Sequence, residues 1–312
     1  MVQFGQQLLN ALFLASLYSL FSVGYTLVFG VLDVLNLAHA SVFMIGAVLS
    51  WFAVDRIDWG TTPDAIVFVL IISGVFLLCG LLGILLEVVA FAPLRARKAG
   101  FLPPLISSIA VSLIFTSVAE AFFGKDPQNF SRLLLPNTRL FTTPPGATYQ
   151  VLTFTWLQVG ILLVAALLVI GLQLLVTRTR LGLSIRVVAE NPRAARLMGI
   201  HVESVFLQTF FIASGLGGVA GVLFAMSGGS NASVATNLGA NVELLGLTAI
   251  IVGGLGSIPG ALLGSALIAF IQVFSIQFGF SNLQGALVFG LLIATLVIRP
   301  GGLLGQHNAR RV

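Results

Sequence analysis

Asn36 and His39 stand in the run NLAH at 36–39, three residues after Asp33, in a chain that is 58% hydrophobic and 8% charged. Polar and ionisable side chains are expensive inside so apolar a chain, so each is a candidate for function. Asn36 and His39 fit two roles, lining a solute route or inner gate, or forming a hydrogen-bonded network that holds a helix turn. Glu243 opens an apolar run, where an acid suits a helix N-terminus; it is the third candidate for a solute pathway. Glu87, eight residues before Arg95, reaches either water or a basic partner, and Glu120 reads as interfacial. Cys79, the one cysteine, lies mid-run and reads as a small apolar filler. No catalytic set emerges. The carboxylates are not paired at usable spacing, and GSIPG at 256–260 is not a GxSxG elbow. His39, His201 and His307 lack ligand spacing, so no metal centre is predicted. GxxxxGK[ST] does not occur: Gly124-Lys125 is followed by Asp126. This chain is therefore not expected to cradle ATP phosphates by that motif.

Charge gathers in one place. Residues 178–203 hold Arg178, Arg180, Arg186, Glu190, Arg193, Arg196 and Glu203, seven of the 25 Asp, Glu, Lys and Arg residues in the chain. Such a density needs water or a partner. Within it, RVVAENPRAARLMGI at 186–200 carries helix punctuation: Asn191 suits the N-cap, Pro192 the first helical position and Gly199 the stop. The pattern predicts a helix of about two turns over 192–198. Ala194, Ala195, Leu197 and Met198 give it small and apolar surface, and Arg193 and Arg196 share a neighbouring stripe. Such a helix fits docking into another protein, or lying on a membrane with its arginines toward lipid phosphate.

The elements that must position these residues are membrane spans. A soluble domain has about a quarter of its residues charged, whereas here the mean hydropathy is +1.08. Residues 65–86 run 22 positions without a charge, and 157–176 and 204–226 do the same. About 20 apolar residues cross the hydrocarbon core. The fold class is therefore all-α and polytopic, with about 8–9 transmembrane helices. Spans are predicted near 6–29, 38–54, 65–92, 104–124, 154–176, 204–227, 241–257, 260–278 and 281–298. The first is expected to be retained, because no Lys or Arg precedes Arg56. Assigning 95–98, 178–203 and 299–312 to the cytoplasm places 11 of 15 Lys and Arg there. The N-terminus is then outside and the C-terminus inside. Nucleic acid is not an expected partner, since the basic residues sit in separate short loops. The proline-bearing segment 125–153 reads as an outside loop. Gly253, Gly254, Gly256, Ser257, Pro259 and Gly260 fit either a tight turn or a broken helix at the pathway. Gly217 with Gly221, and Gly256, Gly260 and Gly264, are spaced for close helix packing. Gly-rich interruptions at 24–54 and 241–278 fit inverted repeats or a chance likeness of apolar segments.

Five stretches, NLAH at 36–39, APLR at 92–95, AENPRAARLMGI at 189–200, GGLGSIPG at 253–260 and RPGGLLG at 299–305, resemble the permeases of branched-chain amino acid ABC transporters. SLYSLFSVGYTLVFG at 16–30 resembles the family's first span, and the likeness runs from about residue 10 to 305, nearer the first permease of the pair. One departure is Ala40, where the family commonly has Gly. The resemblance implies one transmembrane permease domain over 1–312 in a bacterial inner membrane. Residues 178–203 would be its cytoplasmic coupling segment, with Arg186 and Glu190 through Gly199 contacting an ATPase. It implies two cytoplasmic ATPases that bind ATP and Mg, a second permease, a periplasmic solute-binding protein and lipid, with no cofactor on this chain. The expected solutes are branched-chain or other apolar amino acids. Urea or short amides are the alternative within the family, and an ion-coupled secondary transporter the alternative outside it.

Overall fold

In hydrocarbon each backbone polar group must be satisfied within the protein, which leaves the helix as the conformation open to these runs. The computed structural model describes residues 2–97, 99–140 and 153–305. Lys98, Pro144, Pro145, His307, Arg310 and Arg311 lie outside the described residues. The helices are α1 (Val2–Leu32), α2 (His39–Arg56), α3 (Asp64–Leu86), α4 (Ala92–Ala96), α5 (Leu102–Phe123), α6 (Trp156–Arg178), α7 (Arg180–Glu190), α8 (Pro192–Leu197), α9 (Val202–Met226), α10 (Leu238–Gly253), α11 (Ile258–Gln277) and α12 (Gln284–Ile298). A π-helical segment, Glu87–Phe91, joins α3 to α4 without a break.

Among the described residues, seven helical segments are long and apolar enough to cross a membrane. The 18-residue α2 and the 16-residue α10 lie where the other two spans were predicted but are not among these seven. Several boundaries differ from expectation, α1 for example starting at Val2 against a predicted 6. The predicted span 65–92 continues to Ala96 through the π segment, and the span predicted to 257 stops at Gly253. Gly254 (φ 116°) and Gly256 (φ 78°) take backbone conformations that only glycine adopts without strain, and they turn the chain into α11. The first interruption falls later than Gly30, at 33–38, where Asp33 (φ 53°) ends α1. The two interrupted pairs meet, α1 along α11 and α2 against α10.

α1, α2 and α9 are buried along most of their length, while α5 and α12 are largely exposed. The centre is built on small residues. A Cβ at Gly221 of α9 would overlap the carbonyl oxygen of Phe43 in α2, and one at Gly46 would overlap the Gly218 backbone. Cys79 fills space against Gly218, as expected of an apolar filler. Gly260 and Gly264 likewise bring α11 onto α10, but Gly256 belongs to the turn.

Contacts sort the helix ends into two groups. At one end, Gln6 hydrogen-bonds Thr153, Gln7 hydrogen-bonds Gln277, and Arg132 pairs with Asp64. There Gln128–Asn129 (β1) pairs antiparallel with Ser233–Val234 (β2), and Trp51 donates to the Asn129 carbonyl. α6 starts there on a capping box between Thr155 and Gln158. At the other end lie α7, α8 and the turn at 254–257. The N-terminal and C-terminal described residues occupy opposite ends. Arg56, Lys125, Arg132 and Arg139 fall at the first end, and Arg95, Arg97, Arg178, Arg180, Arg186, Arg193, Arg196 and Arg299 at the second.

Candidate functional site

The opening of α8 follows from its own residues. The Asn191 side chain accepts from the N–H groups of Arg193 (3.0 Å) and Ala194 (3.1 Å), and Pro192 takes the first turn. The helix stops at Gly199 (φ 80°). The Ile200 N–H reaches back to the Ala195 carbonyl and the Gly199 N–H to that of Arg196, the paired bonds of a Schellman motif. One expectation is corrected here. Ala195 is 0% exposed and packs into the body, so it is no part of an outward docking surface, whereas Ala194 is partly exposed. The apolar side chains presented to the outside are Leu197, 90% exposed, and Met198, 63% exposed. Arg186, Glu190 and Arg193 are exposed as well.

Helix α7 was not predicted. Its signal is the run Leu181, Ile185 and Val188, an i, i+4, i+7 stripe that turns inward while Arg180, Arg186 and Glu190 face out. Thr179 caps it by accepting from the Gly182 N–H at 3.1 Å. Gly182 then lies so close to the Leu175 and Val176 carbonyls that a Cβ would overlap them, which fixes the sharp bend from α6.

A chain of charges leads from α8 into the bundle. Arg196 pairs with Glu203 at 2.7 Å in the first turn of α9. Phe206, in the same helix, lies under the guanidinium of Arg95, whose Cζ is 3.8 Å from the ring centroid. Arg95 Nη2 is 2.6 Å from a carboxylate oxygen of Glu87, which is 1% exposed. Glu87 thus has the basic partner that was one of its two expected fates. It opens the π segment, and the Ala90 carbonyl in that segment accepts from Ser107 of α5 at 3.3 Å.

The two glycine-rich motifs form one structure. Ser257 caps α11 by accepting from the Gly260 N–H at 3.1 Å, with Pro259 in the first turn. The N–H groups of Leu303 and Leu304 then satisfy the Val252 and Gly253 carbonyls at the end of α10. Gly254, Gly302 and Gly305 are in backbone contact, with no room for a Cβ. Of the two expectations for 253–260, the geometry is that of a turn.

Asn36 and His39 do not share a site with Glu243. Asn36 accepts from the Ala38 N–H at 3.2 Å and its carbonyl accepts from the His39 N–H at 3.1 Å, which shapes the α1–α2 link. The His39 ring is buried between α1 and α9, 5.0 Å from the Phe21 ring and 5.5 Å from Tyr25, in space left by Gly24 and Gly217. Glu243 lies in a groove of about 540 Å³ between α2, α5 and α10, whose wall includes neither Asn36 nor His39. Ala40, at the family's glycine position, borders that groove where its carbonyl meets Gly239. Met44, Ile109, Leu113, Leu244 and Leu247 supply an apolar wall, and Ser41, Ser112, Thr116, Asn237 and Glu120 add polar points. Ser41, Ser112 and Thr116 were missed because a serine or threonine within an apolar run carries no periodic or charge signal of its own. A smaller cleft of about 250 Å³ between α1, α6 and α11 holds Ser16 and Ser19 and no charged group.

The model of the branched-chain amino acid transport system permease component matches residues 7–296. The chain is 32% identical to the high-affinity branched-chain amino acid transport system permease protein BraD of Pseudomonas aeruginosa, over 98% of this chain and 97% of that protein. It is 29% identical to the corresponding permease LivH of Escherichia coli K12, over 99% and 98% of the two chains. A probable LivH of Methanocaldococcus jannaschii is 28% identical over 95% of this chain and 91% of its own. No solved structure matches the chain significantly. The motifs that carried the resemblance are thus met by a match across nearly the whole length, and the chain belongs to the family of permease components of branched-chain amino acid transport systems.

Proposed function

We propose that this protein is the membrane-spanning subunit of an ATP-driven importer for branched-chain or other apolar amino acids. The reading is carried by the family match over 7–296 together with relatives named as branched-chain amino acid permeases. The end rich in arginine faces the cytoplasm, which places the N-terminus outside and the C-terminus inside. A binding protein delivers solute at the outer end, a second permease subunit completes the pathway, and two cytoplasmic ATPases hold ATP and Mg.

In this mechanism α8 is the contact with an ATPase. Leu197 and Met198 enter the partner, while Asn191, the Schellman turn and buried Ala195 hold the helix on the body. Closure of the ATPases pushes α8. The Arg196–Glu203 pair passes the displacement to α9, which crosses the centre against α1, α2 and α3. The groove between α2, α5 and α10 then changes the side to which it opens. Replacing both Leu197 and Met198 with Glu tests the contact. Burying two uncompensated charges is prohibitive, so the variant should fold and insert but lose its ATPases on purification. ATPases retained in wild-type amount, with solute-stimulated hydrolysis, would refer the helix to the lipid surface instead. Uptake of leucine, isoleucine or valine into vesicles, against urea as the competing solute, tests the cargo.

A further inference from the structure

We propose that the groove between α2, α5 and α10 holds an amino acid as a zwitterion, with the ammonium group on Glu243 and the carboxylate at the N-terminus of α10. This rests on the importer reading and names the chemistry by which this chain recognises its cargo.

Among the described residues the groove wall contains two carboxylates and no Lys, Arg or His. The two differ. Glu120 has Lys125 at 3.5 Å, whereas among the described residues Glu243 has no ion-pair partner and its Oε1, shielded from solvent, has no hydrogen-bond partner. A carboxylate held this way beside Leu244 and Leu247 calls for a cation. A volume of about 540 Å³ is within the usual range for a small-molecule site.

The second recognition element is independent of the first. α10 begins inside the groove wall, at Asn237, Gly239 and Ala240. Asn237 makes no side-chain capping bond and the Leu238 N–H is taken by the Ala235 carbonyl, which leaves the N–H groups of Gly239 and Ala240 to present partial positive charge to the groove. Side chains on a helix lean toward its N-terminus, which brings the Glu243 carboxylate toward those N–H groups. A cation site and an anion site therefore lie about one turn apart on one helix, close enough for the two ends of one amino acid. Gly239 lets α10 pack against α2 at this point, since a Cβ there would overlap the Ala40 carbonyl. The aliphatic side chain of the solute would lie against Met44, Ile109 and Leu113. Neutral urea offers no ammonium to Glu243.

The test uses the assembled transporter, purified with its partners through a tag on this chain and placed in proteoliposomes with its binding protein. Leucine uptake is measured per assembled complex. The wild type should take up leucine, and Glu243→Gln should reduce uptake at least tenfold. Glu243→Cys in a Cys79→Ala background should be equally impaired. Treating it with the negatively charged sulfonatoethyl methanethiosulfonate should restore uptake, and the positively charged aminoethyl reagent should not. Wild-type uptake by Glu243→Gln would overturn the ammonium assignment and leave the importer reading standing. A deficit that neither reagent relieves would assign Glu243 to packing or to a partner subunit and would also overturn the proposal. If Glu243→Gln does not assemble, the two reagents on Glu243→Cys decide. Failure of the wild type to take up leucine, isoleucine or valine would instead sink the importer reading itself.

Discussion

A hydrogen in place of a methyl group sets the distance between α2 and α9. Gly221 lets the carbonyl of Phe43 come within the space of a Cβ, and Gly46 does the same for the Gly218 backbone. Valine at 221 would force the two central helices apart, and overpacking of this kind costs about 1–3 kcal/mol. The thermal unfolding midpoint of purified Gly221→Val should fall by several degrees, while valine at Gly171, which meets nothing within 4 Å, should leave it unchanged. The same reasoning divides neighbours in α8. Ala195 is enclosed, so Ala195→Glu should damage the fold of 178–203, whereas Leu197 is free to change without loss of stability.

At the scale of elements, the π segment Glu87–Phe91 lies where three helices meet: α3 enters it, α9 reaches it through Phe206 and Arg95, and α5 through Ser107. Such bulges are concentrated at functional positions. Arg95→Leu would strand the Glu87 carboxylate, and removing one member of a buried pair costs about 3–5 kcal/mol. Combining it with Glu87→Leu should recover most of that stability, measured by unfolding of the two variants side by side. If the pair also positions α9 for coupling, the recovered double variant should still hydrolyse ATP with less solute moved per ATP. The ends of α8 were legible because Asn191, Pro192 and Gly199 act on their nearest neighbours. Which side of α8 faces out was not legible, because the burial of Ala195 depends on a body assembled from distant helices.

For the whole molecule, the helix ends separate eight described arginines from four basic residues at the opposite end. Lys125 and Arg193 are exposed at the two ends, which makes them reporters of orientation. In a Cys79→Ala background, Lys125→Cys should react with an impermeant thiol reagent from the periplasmic side and Arg193→Cys should not. The reverse pattern would overturn the orientation and the coupling role of α8 together. Removing Cys79 should not disturb the fold, because alanine also fits against Gly218.

Length and polarity determined the helices. The runs at 65–86 and 204–226 lack charge over distances that hydrocarbon tolerates only as helix, so the long apolar helices were legible before any contact was known. Local backbone chemistry also determined the cap at Asn191 and the stop at Gly199, whereas 253–260 fitted a turn or a broken helix until the fold decided for the turn. Tertiary structure decided what those helices enclose. Asn36 and His39 are polar and close in sequence, yet α2 turns them toward the link and the α1–α9 interface and away from the groove. Glu243 read as a pathway candidate and Glu120 as interfacial, and the structure adds that a lysine lies within reach of Glu120 and, among the described residues, none within reach of Glu243. The groove exists because α10 approaches α2 at Gly239 while α5 stands off. The relative placement of three helices is a matter of packing between distant segments, and no window of sequence contains it.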